Sequence, residues 1–239
     1  MIPDMSRSNR IRAAPVLPRM RRLAVFLSVA ASAFPQHLSV GIKGGVPLSS
    51  LLDAPGDRFP YLASTKRYTL GPALEVRLPW RLGLEVNALY KRFGYSRDFT
   101  DITTIGSSPV LVNARTRATG NHWEFPLLLK FRLADGPLFR PYVSAGASFN
   151  RVSAKEATEF FVPAGSGGLR PFANTNPPQL QNRTGRGFVL GGELELNALF
   201  LRLTPELRYT RWGVANFRDI NGLLNSNQNQ AELLLGITF

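Results

Sequence analysis

The chain has 239 residues, 44% of them hydrophobic, no cysteine, and a formal net charge of +13. The apolar fraction excludes wholesale disorder. The lack of cysteine excludes a disulfide framework, a thiolate metal site, a cysteine nucleophile and a lipoprotein anchor.

A charge of +13 invites a nucleic-acid reading, so the position of the basic residues matters. Residues 20–33 read MRRLAVFLSVAASA. Arg21 and Arg22 form a basic n-region, 23–30 a short apolar core, and Ala31-Ser32-Ala33 an A-x-A cleavage signal. The apolar run falls short of the ~20 residues of a transmembrane helix. Residues 1–33 are expected to be an extension and export signal, with Met20 as an alternative start, and 34–239 the mature domain. Removing 1–33 takes away six arginines and Asp4 and leaves +8. No nucleic-acid partner is expected.

Downstream, period-2 alternation recurs and predicts eight strands. The first covers 37–45, with Leu38, Val40 and Ile42 on one face. The second, 67–78, aligns Tyr68, Leu70, Leu74, Val76 and Leu78. The third, 81–93, aligns Leu82, Leu84, Val86, Ala88 and Tyr90. The fourth, 121–133, aligns Trp123, Phe125, Leu127, Leu129, Phe131 and Leu133. The fifth, 138–151, aligns Phe139, Val143, Ala145, Ala147 and Phe149. The sixth, 187–197, aligns Phe188, Leu190, Leu194 and Leu196. The seventh, 199–211, aligns Leu201, Leu203, Leu207 and Tyr209. The eighth, 229–239, aligns Ala231, Leu233, Leu235, Ile237 and Phe239. Each is close to the ~9–11 residues of a tilted transmembrane strand.

Long loops are expected after strands one, three, five and seven. Tight turns at Pro79-Trp80, 134–137 and Asn197-Ala198 join the others. This alternation marks an eight-stranded antiparallel up-and-down transmembrane β-barrel with both termini on the periplasmic side. Pro72, Pro126, Pro141 and Pro205 lie inside predicted strands, where each removes a ladder donor and leaves register and bulges open.

The opposite face of the strands carries the charge. It holds Lys43, Glu75, Arg77, Glu85, Lys91, Glu124, Lys130, Arg132, Arg140, Glu193, Glu195, Arg202, Glu206, Arg208 and Glu232. Near-equal numbers of each sign permit a ladder of paired charges in a narrow lumen. The rival is a soluble barrel turned inside out, but the apolar face is too bulky for the interior of eight strands. Aromatic residues cluster at the strand ends. Tyr68, Tyr90, Trp123, Phe149, Phe188, Tyr209 and Trp212 are expected at the long-loop end. Trp80, Phe131, Phe139, Phe200 and Phe239 are expected at the short-turn end. Two such girdles suit two membrane interfaces.

The terminal AELLLGITF resembles the C-terminal signal read by the bacterial barrel-assembly machinery. The stretches VGIKGGVPLS, WEFPLLLKF, RPYVSAGASF and RGFVLGGELEL resemble the PorT-type outer membrane protein β-barrel domain family. The broader architecture is similar to the OmpA transmembrane domain. These resemblances imply the bacterial outer membrane and a barrel-assembly partner; their motifs are structural and imply no chemistry.

Three functional readings follow. An enzyme, such as a lipid-modifying hydrolase, could use His122 beside Glu124 with Ser96 or Ser148. No serine lies in a recognisable motif, so His122 is expected to be a rim histidine near a lumen carboxylate and the protein non-enzymatic. His37 is expected at the periplasmic rim. No cofactor or metal is expected, and Gly165-Ser166-Gly167-Gly168 is a loop without a following helix. A transport barrel for small molecules is the second reading, although eight strands leave no water channel.

The third reading is surface interaction. The loop end is expected to hold Arg58, Lys66, Arg67, Arg92, Arg97, Arg115, Arg117, Arg151, Lys155, Arg170, Arg183, Arg186, Arg211 and Arg218. Only Asp53, Asp57, Asp98, Asp101, Glu156, Glu159 and Asp219 oppose them. Arginine forks suit phosphate groups. Contact with outer-membrane lipid, lipopolysaccharide or acidic surface glycans is expected, with Arg115, Arg117, Arg183 and Arg186 as the candidate residues of a monomeric barrel.

Overall fold

The computed structural model describes residues 38–53, 61–63, 68–105, 107–161, 172–174, 177–198, 201–218 and 224–238. The export-segment reading of 1–33, His37, Phe200 and Phe239 lie outside these residues. The described strands, in chain order, are β1 (Leu38–Pro47), β2 (Leu52–Asp53), β3 (Tyr61–Ala63), β4 (Thr69–Arg77), β5 (Leu82–Asn87), β6 (Leu89–Ile105), β7 (Ser108–Arg132), β8 (Phe139–Phe161), β9 (Phe172–Asn174), β10 (Thr184–Ala198), β11 (Leu201–Trp212), β12 (Asn225–Ser226) and β13 (Asn229–Thr238). The barrel and its cap lie within the unit Ser39–Phe239.

The ring runs β1, β4, β5 with β6, β7, β8, β10, β11, β13 and back to β1. With β5 and β6 counted as one interrupted strand, eight strands close the wall and leave no open edge around it. Apolar side chains point outward: Val40 and Ile42 are each 56% exposed, and Leu129 50%. Lys43, Glu85, Lys130 and Arg208 are buried inside. Polarity is therefore that of a membrane barrel, because lipid solvates the apolar face while the charges solvate one another.

The interruption at Ala88 has a local cause. Register places Ala88 opposite Pro72, which has no N–H to give. One bond survives, from the Ala88 N–H to the Pro72 carbonyl at 3.1 Å. Pairing resumes with the same register on both sides of Pro72, and likewise across Pro141 and Pro205. The β4–β5 turn sets Trp80 and Arg81 at φ of 58° and 65°, the left-handed pair that a tight hairpin requires.

Two sequence expectations change. The long loop expected between strands three and four is a hairpin: β6 and β7 stay paired to Ile105 and Ser108. Strand five likewise runs to Phe161, paired with β7 to Asn113. These strands stand as a three-stranded extension beyond the barrel, with β3 and β9 on its edges. Trp212 is the second correction. It is 2% exposed and faces inward on the same side of β11 as Arg208, so it is not part of the girdle.

Candidate functional site

The lumen is filled by three charge groups stacked along the barrel. In the middle, Lys43 Nζ lies 2.5 Å from Glu85, 2.6 Å from Glu206 and 3.2 Å from Glu193. Lys130 Nζ lies 2.9 Å from Glu75, 3.0 Å from Glu85 and 2.6 Å from Glu193. Arg208 binds Glu206 through Nε at 2.7 Å and reaches Glu85 at 3.4 Å. Towards the loops, Lys91 joins Glu124 at 2.5 Å and Glu232 at 2.9 Å. Towards the periplasm, Arg77 and Arg140 each donate to Glu195 at 3.0 Å, and Arg202 approaches it at 3.8 Å.

The ladder residues are thus drawn together, with one exception. Arg132 turns away from the group and pairs with Asp135 at 2.7 Å, beside the Arg81–Asp135 pair. Arg77, Arg132, Arg140 and Arg202 are half-buried at the turn end and lie outside the dry middle layer.

His122 is buried beside Trp212, with ring centroids 6.0 Å apart. Its Nδ1 is 3.6 Å from Glu124, too long for a hydrogen bond. Neither serine considered with it is brought near. Ser96 belongs to the outward face of β6. Ser148 is inward, but register puts it four residues down β8 from His122's partner Val152, about 13 Å away.

Above the charges, the lumen ends in an apolar cap. Leu52, Phe217 and Leu224 from the connections pack on Phe93, Tyr95, Ala118, Val152 and Ala154 from the wall. The Phe93 and Phe217 rings meet edge to face at 5.3 Å. Gly120 makes room for this: a Cβ there would lie 2.1 Å from the Phe93 ring. The two-residue pairing of β2 with β12 ties the cap segments together.

The outer surface carries a band of aromatics, with Tyr90 and Trp123 in contact at 5.1 Å and Phe149, Phe188 and Tyr209 also outward. Arg92, Arg151, Arg186 and Arg211 each stand two residues further out than the aromatic of their own strand. Two residues of strand is about 6.6 Å. All four are exposed, and their cross-strand partners are Asn121, Trp123, Thr184, Phe149, Phe188 and Asn229, none of them acidic. The result is a basic collar just above the aromatic belt.

The four sequence candidates do not converge. Arg115 and Arg117 lie on the extension, five or more residues beyond the level of Arg183. Arg115 has acids on both sides, Asp98 and Glu159, and its Nε donates to Asp98 at 2.8 Å. That contact holds the Asp98 carboxyl below its ordinary value and the guanidinium above its own. Arg186 alone belongs to the collar. The collar's signal was present in the sequence as basic residues two positions beyond Tyr90, Phe149, Phe188 and Tyr209. Telling the arginines that face acids from those that do not needed the register.

The family signature of the outer membrane protein beta-barrel domain is met over residues 30–218. The chain belongs to that family. Its location is accordingly the bacterial outer membrane. The chain is similar to Neisserial surface protein A, with 14% identity and a TM-score of 0.40, over 84% of this chain and 95% of that one. It is also similar to the N-terminal beta-barrel domain of Pseudomonas aeruginosa OprF, with 12% identity and a TM-score of 0.35, over 84% and 97%. For Ail, the attachment invasion locus protein of Yersinia pestis, the values are 12% and 0.36, over 85% and 97%. No curated protein matches the sequence.

Proposed function

We propose that the protein is a closed, non-enzymatic outer-membrane barrel whose collar engages anionic lipid of the outer leaflet, with lipopolysaccharide as its partner. The carrying observation is the placement of Arg92, Arg151, Arg186 and Arg211 on the lipid side, one step above the aromatic belt and away from acids. Aromatics favour the headgroup level, so arginines one step beyond them meet the phosphates. Arginine suits this role because its planar fork binds a phosphate through two hydrogen bonds.

A filled lumen and an apolar cap support a surface or structural role over transport. The PorT-type assignment within the family, a monomeric state and delivery by the barrel-assembly machinery belong to the same proposal, on the motifs that carry them.

The test is lipid retention. Replacing Arg92, Arg151 and Arg186 together by Gln is expected to reduce lipopolysaccharide co-purified with the folded barrel at least ~10-fold, since each charge-assisted contact contributes about 1.5–3 kcal/mol. The triple replacement Arg115→Gln, Arg117→Gln, Arg183→Gln is expected to change it less than ~3-fold, as Arg115 is already paired. Unchanged retention in the collar variant overturns the reading.

A further inference from the structure

Among the described residues, the collar borders a place where a lipid has more than charge to hold. A groove of about 510 Å³ opens where β8, β10 and the residues after β11 meet, lined by Phe149, Thr184, Gly185, Arg186, Gly213 and Val214. Phe149 is the cross-strand partner of Arg186 on one side. On the other, the Gly213 N–H donates to the Arg186 carbonyl at 2.8 Å, which makes Gly213 its neighbour there. With no side chain at Gly213, the space between Phe149 and the exposed Val214 stays open.

The backbone does not demand glycine at this point. Gly213 has no left-handed conformation, and an added Cβ would meet only the Arg186 carbonyl oxygen, at 3.3 Å. Gly213 therefore lines the groove without filling it. Its polar end is formed by Arg186 and Thr184, and Thr184 stands directly across from Arg151. Its apolar walls are Phe149 and Val214.

We propose that this groove seats one phosphorylated acyl glycolipid of the outer leaflet, of the lipid A class. Its phosphate would lie against Arg186, Arg151 and Thr184, and an acyl chain against Phe149 and Val214. This rests on the collar reading and narrows it to one site. Both ends of the groove favour such an amphiphile. Free phosphate would leave the apolar walls unused, and a neutral lipid would leave two guanidinium groups unanswered. A phosphomonoester carries close to two charges near neutral pH, against one on a phospholipid diester, which favours the glycolipid for a pair of arginines.

The experiment uses the folded barrel in dodecyl maltoside micelles, titrated with fluorescent bisphosphorylated lipid A and, separately, with phosphatidylglycerol. Saturable one-to-one binding of lipid A is expected. Gly213→Leu fills the groove without changing charge and is expected to weaken binding ~10-fold, as is Arg186→Gln. Arg117→Gln, on the extension and outside the collar, is expected to change it less than ~3-fold. Val214→Ser removes the apolar wall by a second route and is expected to weaken binding ~3-fold, so the inference remains testable if Gly213→Leu does not fold. Wild-type affinity in folded Gly213→Leu, with Arg186→Gln still weakened, overturns the groove and leaves the collar. Equal affinity for phosphatidylglycerol overturns the ligand class. No saturable binding by the wild type overturns the groove and the collar together.

Discussion

Glu75 and Glu85 face each other directly across β4 and β5, with Lys130 Nζ 2.9 Å from one and 3.0 Å from the other. Across the lumen, Glu193 and Glu206 form a second such pair on β10 and β11, and Lys43 bridges it. Like charges placed directly opposite destabilise a sheet unless something stands between them. Here a lysine does so in both cases.

Lys130→Met is expected to destabilise the folded barrel by about 3–5 kcal/mol, because it leaves buried carboxylates without their shared partner. Urea unfolding in micelles, followed by tryptophan fluorescence, reads this directly. Adding Glu85→Gln is expected to restore part of the loss, since the double variant removes one of the stranded charges. An unchanged unfolding midpoint in Lys130→Met argues against a stabilising ladder.

Gly120→Val tests the cap. The added side chain must displace the Phe93 ring and with it the contact to Phe217. Overpacking of this kind destabilises by about 1–3 kcal/mol. Faster cleavage of the cap segments by protease on intact cells is the expected result. The same cleavage rate as wild type would mean that the cap adapts.

In planar bilayers, the purified barrel is expected to show no steady porin-size conductance. Lys43, Lys130 and Arg208 with their carboxylates occupy the cross-section, and the apolar cap closes it above. A stable large conductance would show that the lumen rearranges or that several copies form a pore.

The extension should loosen in acid. Arg115 lowers the Asp98 carboxyl from its ordinary 3.8, so this pair stabilises fully above that pH and fades as pH falls through the lowered value. Asp53 in β2 has the opposite sign. Burial raises its carboxyl, so its contribution is full below 3.8 and lost as pH rises through the raised value. Amide protection factors in the hairpin around Asp98 are expected to fall as pH drops below ~4, with no such fall around Asp53. Arg115→Gln should abolish the effect, and ~1 M salt should weaken it, because the pair is exposed. Protection factors that ignore both pH and the substitution remove the pair from the account.

The barrel was readable because large apolar residues alternate with charged ones through the membrane-spanning part of each strand, and lipid on one side enforces that contrast. The extension was not readable for the same reason reversed. Its inner face uses Val112, Ala114, Thr116 and Ala118, while its outer face uses Asn113, Arg115 and Arg117. Small residues against polar ones give too little contrast to distinguish a strand from a loop. The aromatic character of Trp212 points to a girdle, although its even number matches the inward Arg208. The cap could not be read at all, since Leu52, Phe217 and Leu224 come from three separate stretches with no period between them. The collar was visible as composition but not as a row, because only strand register separates the arginines facing acids from those facing aromatics.

The sharing of Glu85 and Glu193 by both lysines has a mechanical result. Lys43 comes from β1 and Lys130 from β7, while Arg208 reaches from β11 to Glu85 on β5, halfway round the ring. A tube held only by hydrogen bonds between neighbouring strands flexes readily towards an oval. These cross-members act as spokes and keep the section round. A barrel braced from within does not rely on the lateral pressure of the bilayer for its outline, and everything mounted on its rim keeps a constant height and spacing.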